Sequence, residues 1–449
     1  MAEVDLESHV LVNKGLSIEI MEGMGRVAVA TKPLDNSYLY QVVLCERPLL
    51  VWEVGDMEDF VHQFQSAPQE TQDAIMDMFH PPLDSDSSPI IAKFRDMAGP
   101  LAEATGTDVT WAHKILAICA TNAHKFYSGK TTSRKPHSAI FAYASKIAHS
   151  CIPNLAYTSV KSEDDNNQGA LQYKVIRNIP MGQPAAFSYI GGGRVLYQTP
   201  THERREKLWR TKSFVCQCKR CSGPDYCRSV QCNTCTQKMF VPCIYNNEEN
   251  DYQPTWTCRR EACGIRNSQD IQLQEKLFDD RLQALFQQHQ QQTDNETQTD
   301  DSAIQALQDL IEESKTSLSP VHHITIQALE TLAKWTAANA AVTKETIAKG
   351  GLFKIAAEAS LQVVLGCECV ASGCPGCFDA AVLFSSSAAN GTSTGTGDVL
   401  AQHDPIYEMG VTAFTASKLL MHVPEASRPP HAMSMIQRYL PIIAQLAAP

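Results

Sequence analysis

Cysteine spacing carries the strongest chemical signal in this chain. Cys216, Cys218 and Cys221 form a CxCxxC run, and thiolates so close together can share one metal ion. A tetrahedral zinc needs a fourth ligand, and nearby Cys227 is available to complete a local site. A second set, Cys232-x-x-Cys235 with Cys258-x4-Cys263, has the two-knuckle spacing of a zinc ribbon. Phe240 and Trp256 are placed to pack its small core, and Cys227 and Cys243 are left over. A third set, Cys367, Cys369, Cys374 and Cys377, surrounds Gly373 and Pro375. It suits either a metal or a buried, redox-active thiol cluster, and both readings stand.

The compartment decides between disulfides and metal. The N-terminus, Met1-Ala2-Glu3-Val4-Asp5, is acidic and has no apolar signal core. Sixteen cysteines bunched at short spacings then point to zinc in a reducing compartment, the nucleus or the cytosol. The net charge of −11 argues against nucleic acid as a direct ligand and suits a basic peptide or protein. No membrane association is expected. The most apolar window, Leu361 to Phe384, is interrupted by Glu368, Asp379, Pro375 and its own cysteines, so it reads as packed helix.

Two further stretches could do chemistry. Ala148-His149-Ser150-Cys151-Ile152-Pro153-Asn154 is a polar turn in which Pro153 pushes Ile152 toward extended backbone. Phe187-Ser188-Tyr189-Ile190 ends a hydrophobic strand on a tyrosine whose hydroxyl needs a polar partner if buried.

The elements that position these residues are mostly legible. Leu16 to Ile20 alternates apolar and polar residues, as a strand does. The turn Glu22-Gly23-Met24-Gly25-Arg26 leads into a second strand through Ala30. Tyr40 to Cys45 and Leu49 to Trp52 supply two more strands. Glu58 to His62 and Glu70 to Phe79 have helical spacing, and Trp111 to Phe126 reads as one helix with Ile115, Leu116 and Ile118 inward. Leu155 to Val160 and Ala170 to Arg177 form a hairpin around the polar tip Lys161 to Gly169, and Thr201 to Trp209 a short helix. Ile271, Leu273, Leu277, Phe278, Leu282, Leu285 and Phe286 trace an amphipathic helix, followed by a glutamine- and acid-rich extension or linker. Later helices begin near Ala303 and at Ser319-Pro320, where a Ser cap precedes Pro. A flexible loop, Ser385 to Gly397, interrupts the tail.

In this order the glycine turn, the His-Ser-Cys turn, the Tyr189 strand and the CxCxxC run resemble a SET-domain protein lysine methyltransferase. The arrangement is most similar to the SET and MYND-domain family, without its MYND finger, because no cysteine occurs between Cys45 and Cys119. The resemblance implies an α+β chain. Its parts are a β-rich SET fold with a pseudoknot, a cysteine-rich zinc-binding post-SET and ribbon region, and an all-α C-terminal domain. The corresponding segments are residues 1–52 and 111–210 for the SET domain, 53–110 for a helical and loop insert, 211–266 for the zinc region and 267–449 for the helical domain.

The resemblance also assigns roles. S-adenosylmethionine would lie against Gly25, Arg26, Ala148 and His149. Tyr189 would be the catalytic tyrosine that orients the amine of a lysine in a protein or peptide substrate. Cys151 would join Cys216, Cys218 and Cys221 on one zinc, and Cys232, Cys235, Cys258 and Cys263 would hold another. The reaction needs a neutral amine, an in-line sulfonium methyl and exclusion of water.

Three positions depart from the family pattern. Ala148 stands where an Asn precedes the His-Ser-Cys, Val27 where a Gly follows the arginine, and Lys212 where a second active-site tyrosine lies four residues before the CxCxxC. Phe214 would then supply part of the aromatic channel. An inactive SET-fold interaction module is therefore the alternative, and a zinc-ribbon scaffold with a peptide-binding helical tail is a third reading.

Overall fold

The computed structural model describes residues 9–85, 88–127, 137–160, 169–191, 194–234, 240–245, 253–258, 263, 265–293, 301–342, 346–372, 409–428 and 432–447. It divides the chain into two units, one of Met1–Ile190 with Arg204–Cys218 and one of Gly191–Glu203 with Lys219–Pro449.

The first unit opens with β1 (Val10–Asn13), β2 (Leu16–Met21) and β3 (Gly25–Ala30), followed by β4 (Val42–Glu46) and β5 (Leu50–Glu53). The expected helical insert is α1 (Met57–Ser66), α2 (Gln69–Met76) and α3 (Pro89–Thr105). Next come α4 (Val109–Asn122), β6 (His124–Phe126), β7 (His137–Ile140), β8 (Ala148–His149), β9 (Leu155–Val160), β10 (Ala170–Val175) and β11 (Ala186–Phe187). After α5 (Arg194–Gln198), in the second unit, α6 (Thr201–Lys212) contributes its residues from Arg204 onward to the first.

Strands are short and mostly antiparallel. β2 and β3 pair in full register, and Gly23 and Gly25 take left-handed backbone (φ 72° and 73°) to close the hairpin. One sheet runs in the order β1-β4-β10-β9 and another β5-β7-β6. The first sheet buries Leu44, Leu171, Tyr173 and Val175 with Phe141 and Leu155. The second buries Leu50, Trp52 and Ile140 against α1 to α4, with Trp52 edge-on to Phe60 at 4.7 Å.

The helix expected to reach Phe126 stops at Asn122. His124 to Phe126 alternates buried, exposed, buried, and its backbone pairs with β7 instead. Sheet pairing overrides a helical pattern over three residues.

The second unit holds α7 (Lys219–Ser222) and a four-stranded sheet of β12 (Asp225–Gln231), β13 (Phe240–Tyr245), β14 (Pro254–Thr257) and β15 (Ile265–Arg266). Its helices are α8 (Ser268–Thr293), α9 (Asp301–Ser317), α10 (His323–Val342), α11 (Thr346–Ser372), α12 (Gly410–Leu420) and α13 (Ala432–Ala447). The chain is thus α+β, with an all-helical C-terminal region. The glutamine-rich stretch extends α8 as helix to Thr293.

Ser319 does not cap a helix. α10 begins at His323, and the Ser319 hydroxyl bonds the Ser229 hydroxyl at 2.7 Å. The loop expected over Ser385 to Gly397 lies outside the described residues. Among the described residues no helix is long and apolar enough to cross a membrane.

Candidate functional site

β8 and β11 form a parallel pair, with Ala148 opposite Ala186 and His149 opposite Phe187. Ser150 N–H donates to the Phe187 carbonyl at 3.0 Å. The chain then hooks round, because Asn154 N–H donates back to the Ala186 carbonyl at 3.0 Å. The Asn154 side chain closes the hook, donating to Pro184 O (3.0 Å) and accepting from Ala186 N–H (2.8 Å). Ser150 fixes the turn between them by accepting from Ile152 N–H at 3.0 Å.

Tyr189 lies two residues past β11, not within a strand. Its N–H donates to His149 Nδ1 at 3.0 Å, and its hydroxyl donates to the Ile147 carbonyl at 2.6 Å. Burial pushes the phenol above its ordinary range and lowers His149 to about 4, so both are neutral near pH 7. The rings of His149 (5.2 Å), Phe187 (4.9 Å) and Phe214 (6.3 Å) surround Tyr189. Phe214 thus packs against the rings of both His149 and Tyr189. Ser188 Oγ, beside it, is buried without a hydrogen-bond partner among the described residues.

The CxCxxC run is positioned by α6. Ser213 takes left-handed backbone (φ 57°) and ends the helix, with its N–H donating to Trp209 O. Arg205 Nε then holds the Cys216 carbonyl at 3.1 Å. The thiols of Cys151, Cys216 and Cys218 lie within 4.8 Å of one another, and Cys221 follows three residues further along the run. Four sulfurs on one zinc stand about 3.8 Å apart, given Zn–S bonds of about 2.3 Å. The donor set therefore fits a closed structural zinc. Cys227 is not in this group, since its thiol donates to Asp225 Oδ1 at 2.9 Å.

Cys232, Cys258 and Cys263 form a second set within 4.8 Å, which also fits zinc with one further ligand. Cys235 lies outside the described residues, as do Cys374 and Cys377. Trp256 is fully buried beneath this sheet, and its Nε1–H donates to Arg228 O at 2.8 Å.

The glycine turn is open. A side chain at Gly25 would meet nothing within 4 Å, so space for a ligand exists there. Arg26 pairs with the Asp77 carboxylate and carbonyl on the surface. Lys146, which sequence reasoning passed over, belongs to the same charged group. Burial, then repulsion from Arg26, lowers it to about 8. With Arg26 already paired to Asp77, Lys146 leaves a net positive charge beside the turn, which suits an anionic group. On the other side, Val27 and Ala148 share a small apolar cluster with Val29 and Ala186. The Asn-to-Ala departure thus leaves an apolar contact where a polar group would stand.

Three other residues, Lys212 among them, make long-range contacts that spacing arguments could not show. Glu46, fully buried on β4, accepts the N–H groups of Tyr143 and Ala144 at 2.7 Å each and so anchors the turn leading to β8. His124 accepts the Tyr173 hydroxyl at 2.9 Å while stacking on Phe187. Lys212 donates to the carbonyls of Ala120 (2.7 Å) and Thr121 (3.1 Å) and sits over the Tyr189 ring. Only the fold could reveal them, because each partner lies far away in sequence.

No protein-family model matches the chain. It is 32% identical over 104 residues to the putative SET domain-containing protein L678 of Acanthamoeba polyphaga mimivirus. Over that stretch the chain is homologous to the viral protein. The match covers 23% of this chain and about a third (33%) of the viral protein. Among solved structures, the SET domain of LSMT bound to lysine and AdoHcy aligns over 88% of this chain and 95% of its own. That alignment has 11% identity and a TM-score of 0.32, too low to show a shared fold.

Proposed function

We propose that this protein transfers a methyl group from S-adenosylmethionine to a lysine side chain of a protein, and that structural zinc closes its site. The observation that carries this reading is the parallel pairing of β8 and β11. It brings His149 and Tyr189 into direct contact beside the thiols of Cys151, Cys216 and Cys218, in a chain homologous in part to a SET-domain protein.

S-adenosylmethionine supplies, when bound, an electrophilic methyl on a sulfonium. Arg26 and Lys146 would hold its carboxylate, and His149 would border it. The Ile147 carbonyl fixes the Tyr189 hydroxyl, whose remaining lone pairs can accept an N–H from the incoming amine and turn its lone pair toward the methyl. Phe187, Phe214 and His149 keep water from the reacting centre. The thiol clusters fit a reducing compartment, the nucleus or cytosol.

A second reading, an inactive SET-fold interaction module, draws on the apolar cluster that holds Val27 and Ala148 and on the ammonium of Lys212 beside Tyr189. Calorimetric titration with S-adenosylmethionine and S-adenosylhomocysteine separates the two. Binding of both supports the enzyme, and binding of neither leaves the interaction module.

A further inference from the structure

Lys212 is a partly buried ammonium that no carboxylate neutralises among the described residues. Its hydrogen-bond acceptors, the carbonyls of Ala120 and Thr121, lie at the end of α4, where helix carbonyls lack intrahelical donors. Such carbonyls carry only a fraction of a negative charge, so the cation is poorly compensated. Its other neighbour is the face of Tyr189, with Nζ 5.6 Å from the ring centre. His124 is the further titratable group that feels the Lys212 charge, and burial keeps it neutral near pH 7. The amine thus stands beside the phenol that would orient a substrate amine.

We propose that Lys212 is an internal methyl acceptor of this site, a lysine of the chain itself held where a substrate lysine would enter. This rests on the function proposed above. Burial lowers Lys212 to about 8, so a sizeable neutral fraction exists at mildly alkaline pH. The neutral amine has two N–H groups, and the Ala120 and Thr121 carbonyls take both. Its lone pair is left on the side away from α4. That pair forms the N–C bond to the sulfonium methyl of S-adenosylmethionine. The C–S bond breaks with its electrons passing to sulfur, which releases S-adenosylhomocysteine. The positive charge moves from sulfur to the methylammonium nitrogen, and the proton lost beforehand goes to solvent.

The test incubates the full-length, zinc-retaining protein with S-adenosylmethionine at mildly alkaline pH, followed by intact-mass measurement and peptide mapping. The expected result is a mass gain of one methylene on Lys212, with S-adenosylhomocysteine formed in equal amount. Tyr189→Phe should lower the label at least tenfold, and Lys212→Arg, which keeps a donor for the helix carbonyls, should remove it. If calorimetry shows cofactor binding but Lys212 stays unmodified, or only other lysines carry the label, this inference is overturned and the proposed function survives. Equal labelling in Tyr189→Phe also overturns it, since the site would then play no part. If the cofactor does not bind, both readings fall.

Discussion

The backbone N–H of Tyr189 donates to Nδ1 of His149 at 3.0 Å. That bond fixes the tautomer, because Nδ1 must offer a lone pair and the ring proton resides on Nε2. Nε2 in turn faces Cys151 Sγ at 3.3 Å. One neutral imidazole therefore links the candidate catalytic tyrosine to a candidate zinc thiolate. Displacing either partner should disturb the other.

Zinc content is the first consequence. Protein purified without chelator should hold at least two zinc ions per chain, measured by elemental analysis. Cys151→Ala should lose one equivalent and on the order of several kcal/mol of stability, since closed zinc sites couple metal binding to folding. Cys119, buried among apolar side chains of α4, is the control, and its replacement by Ala should cost only about 1 kcal/mol. Equal melting shifts for the two variants would remove Cys151 from the ligand set.

Tyr189→Phe tests the chemistry. The ring contacts remain, while the hydroxyl and its bond to Ile147 O are lost, a stability change of about 0.5–1.5 kcal/mol. Methyl transfer should fall at least a hundredfold, or about 2.7 kcal/mol of barrier, with S-adenosylhomocysteine affinity unchanged by calorimetry. Full activity would place catalysis elsewhere.

Glu46 predicts a pH dependence. Burial, against opposing backbone hydrogen bonds, raises its carboxyl to about 7 in the folded chain. A raised folded value means that the contribution is fully present below the unfolded value near about 4.3 and is lost as pH climbs to 7. The protein should lose on the order of 3 kcal/mol between pH 4.5 and about 7 from this group. Urea midpoints across that range measure it. Glu46→Gln should remove this slope. It should also cost about 1–3 kcal/mol at pH 5, because the amide NH2 would face the N–H of Tyr143 or Ala144.

In the second unit, Glu275 is buried between Arg228, which reaches both its oxygens, and His322 at 3.1 Å. Burial would raise this carboxyl, but the hydrogen bonds from Arg228 and His322 prevail and hold it below the usual range. Its contribution is fully present above the unfolded value, near about 4.3, and is lost progressively as pH falls from there toward the lowered one, so the loss begins in mild acid. Arg228→Met should destabilise by about 3–5 kcal/mol, because it strands a buried carboxylate. Glu275, His322 and His323 also lie within 4.8 Å of one another, as metal ligands do. The bidentate Arg228 takes the carboxylate instead, and a zinc count unchanged by Arg228→Met would agree.

The sequence by itself determined what depends on near neighbours. The alternation of Leu16 to Ile20, the glycine hairpin, the CxCxxC run and the helical spacing of α1, α2 and α8 all reappear. Each follows from contacts a few residues apart, which spacing encodes. Tertiary structure decided the rest. It brought the Cys151 thiol beside those of Cys216 and Cys218, turned His124 to Phe126 from helix to strand, moved the start of α10 from Pro320 to His323, and put Val27 and Ala148 in one apolar cluster. It also carried Lys212 to the end of α4 and Glu46 to the turn before β8, across 92 and 97 residues. A lysine or a glutamate in a sequence carries no mark of the carbonyl or amide that will meet it. Those pairings exist only once the β8–β11 pair and the α4–α6 approach have closed, because long-range packing, not local propensity, determines which polar groups lose water and must find each other.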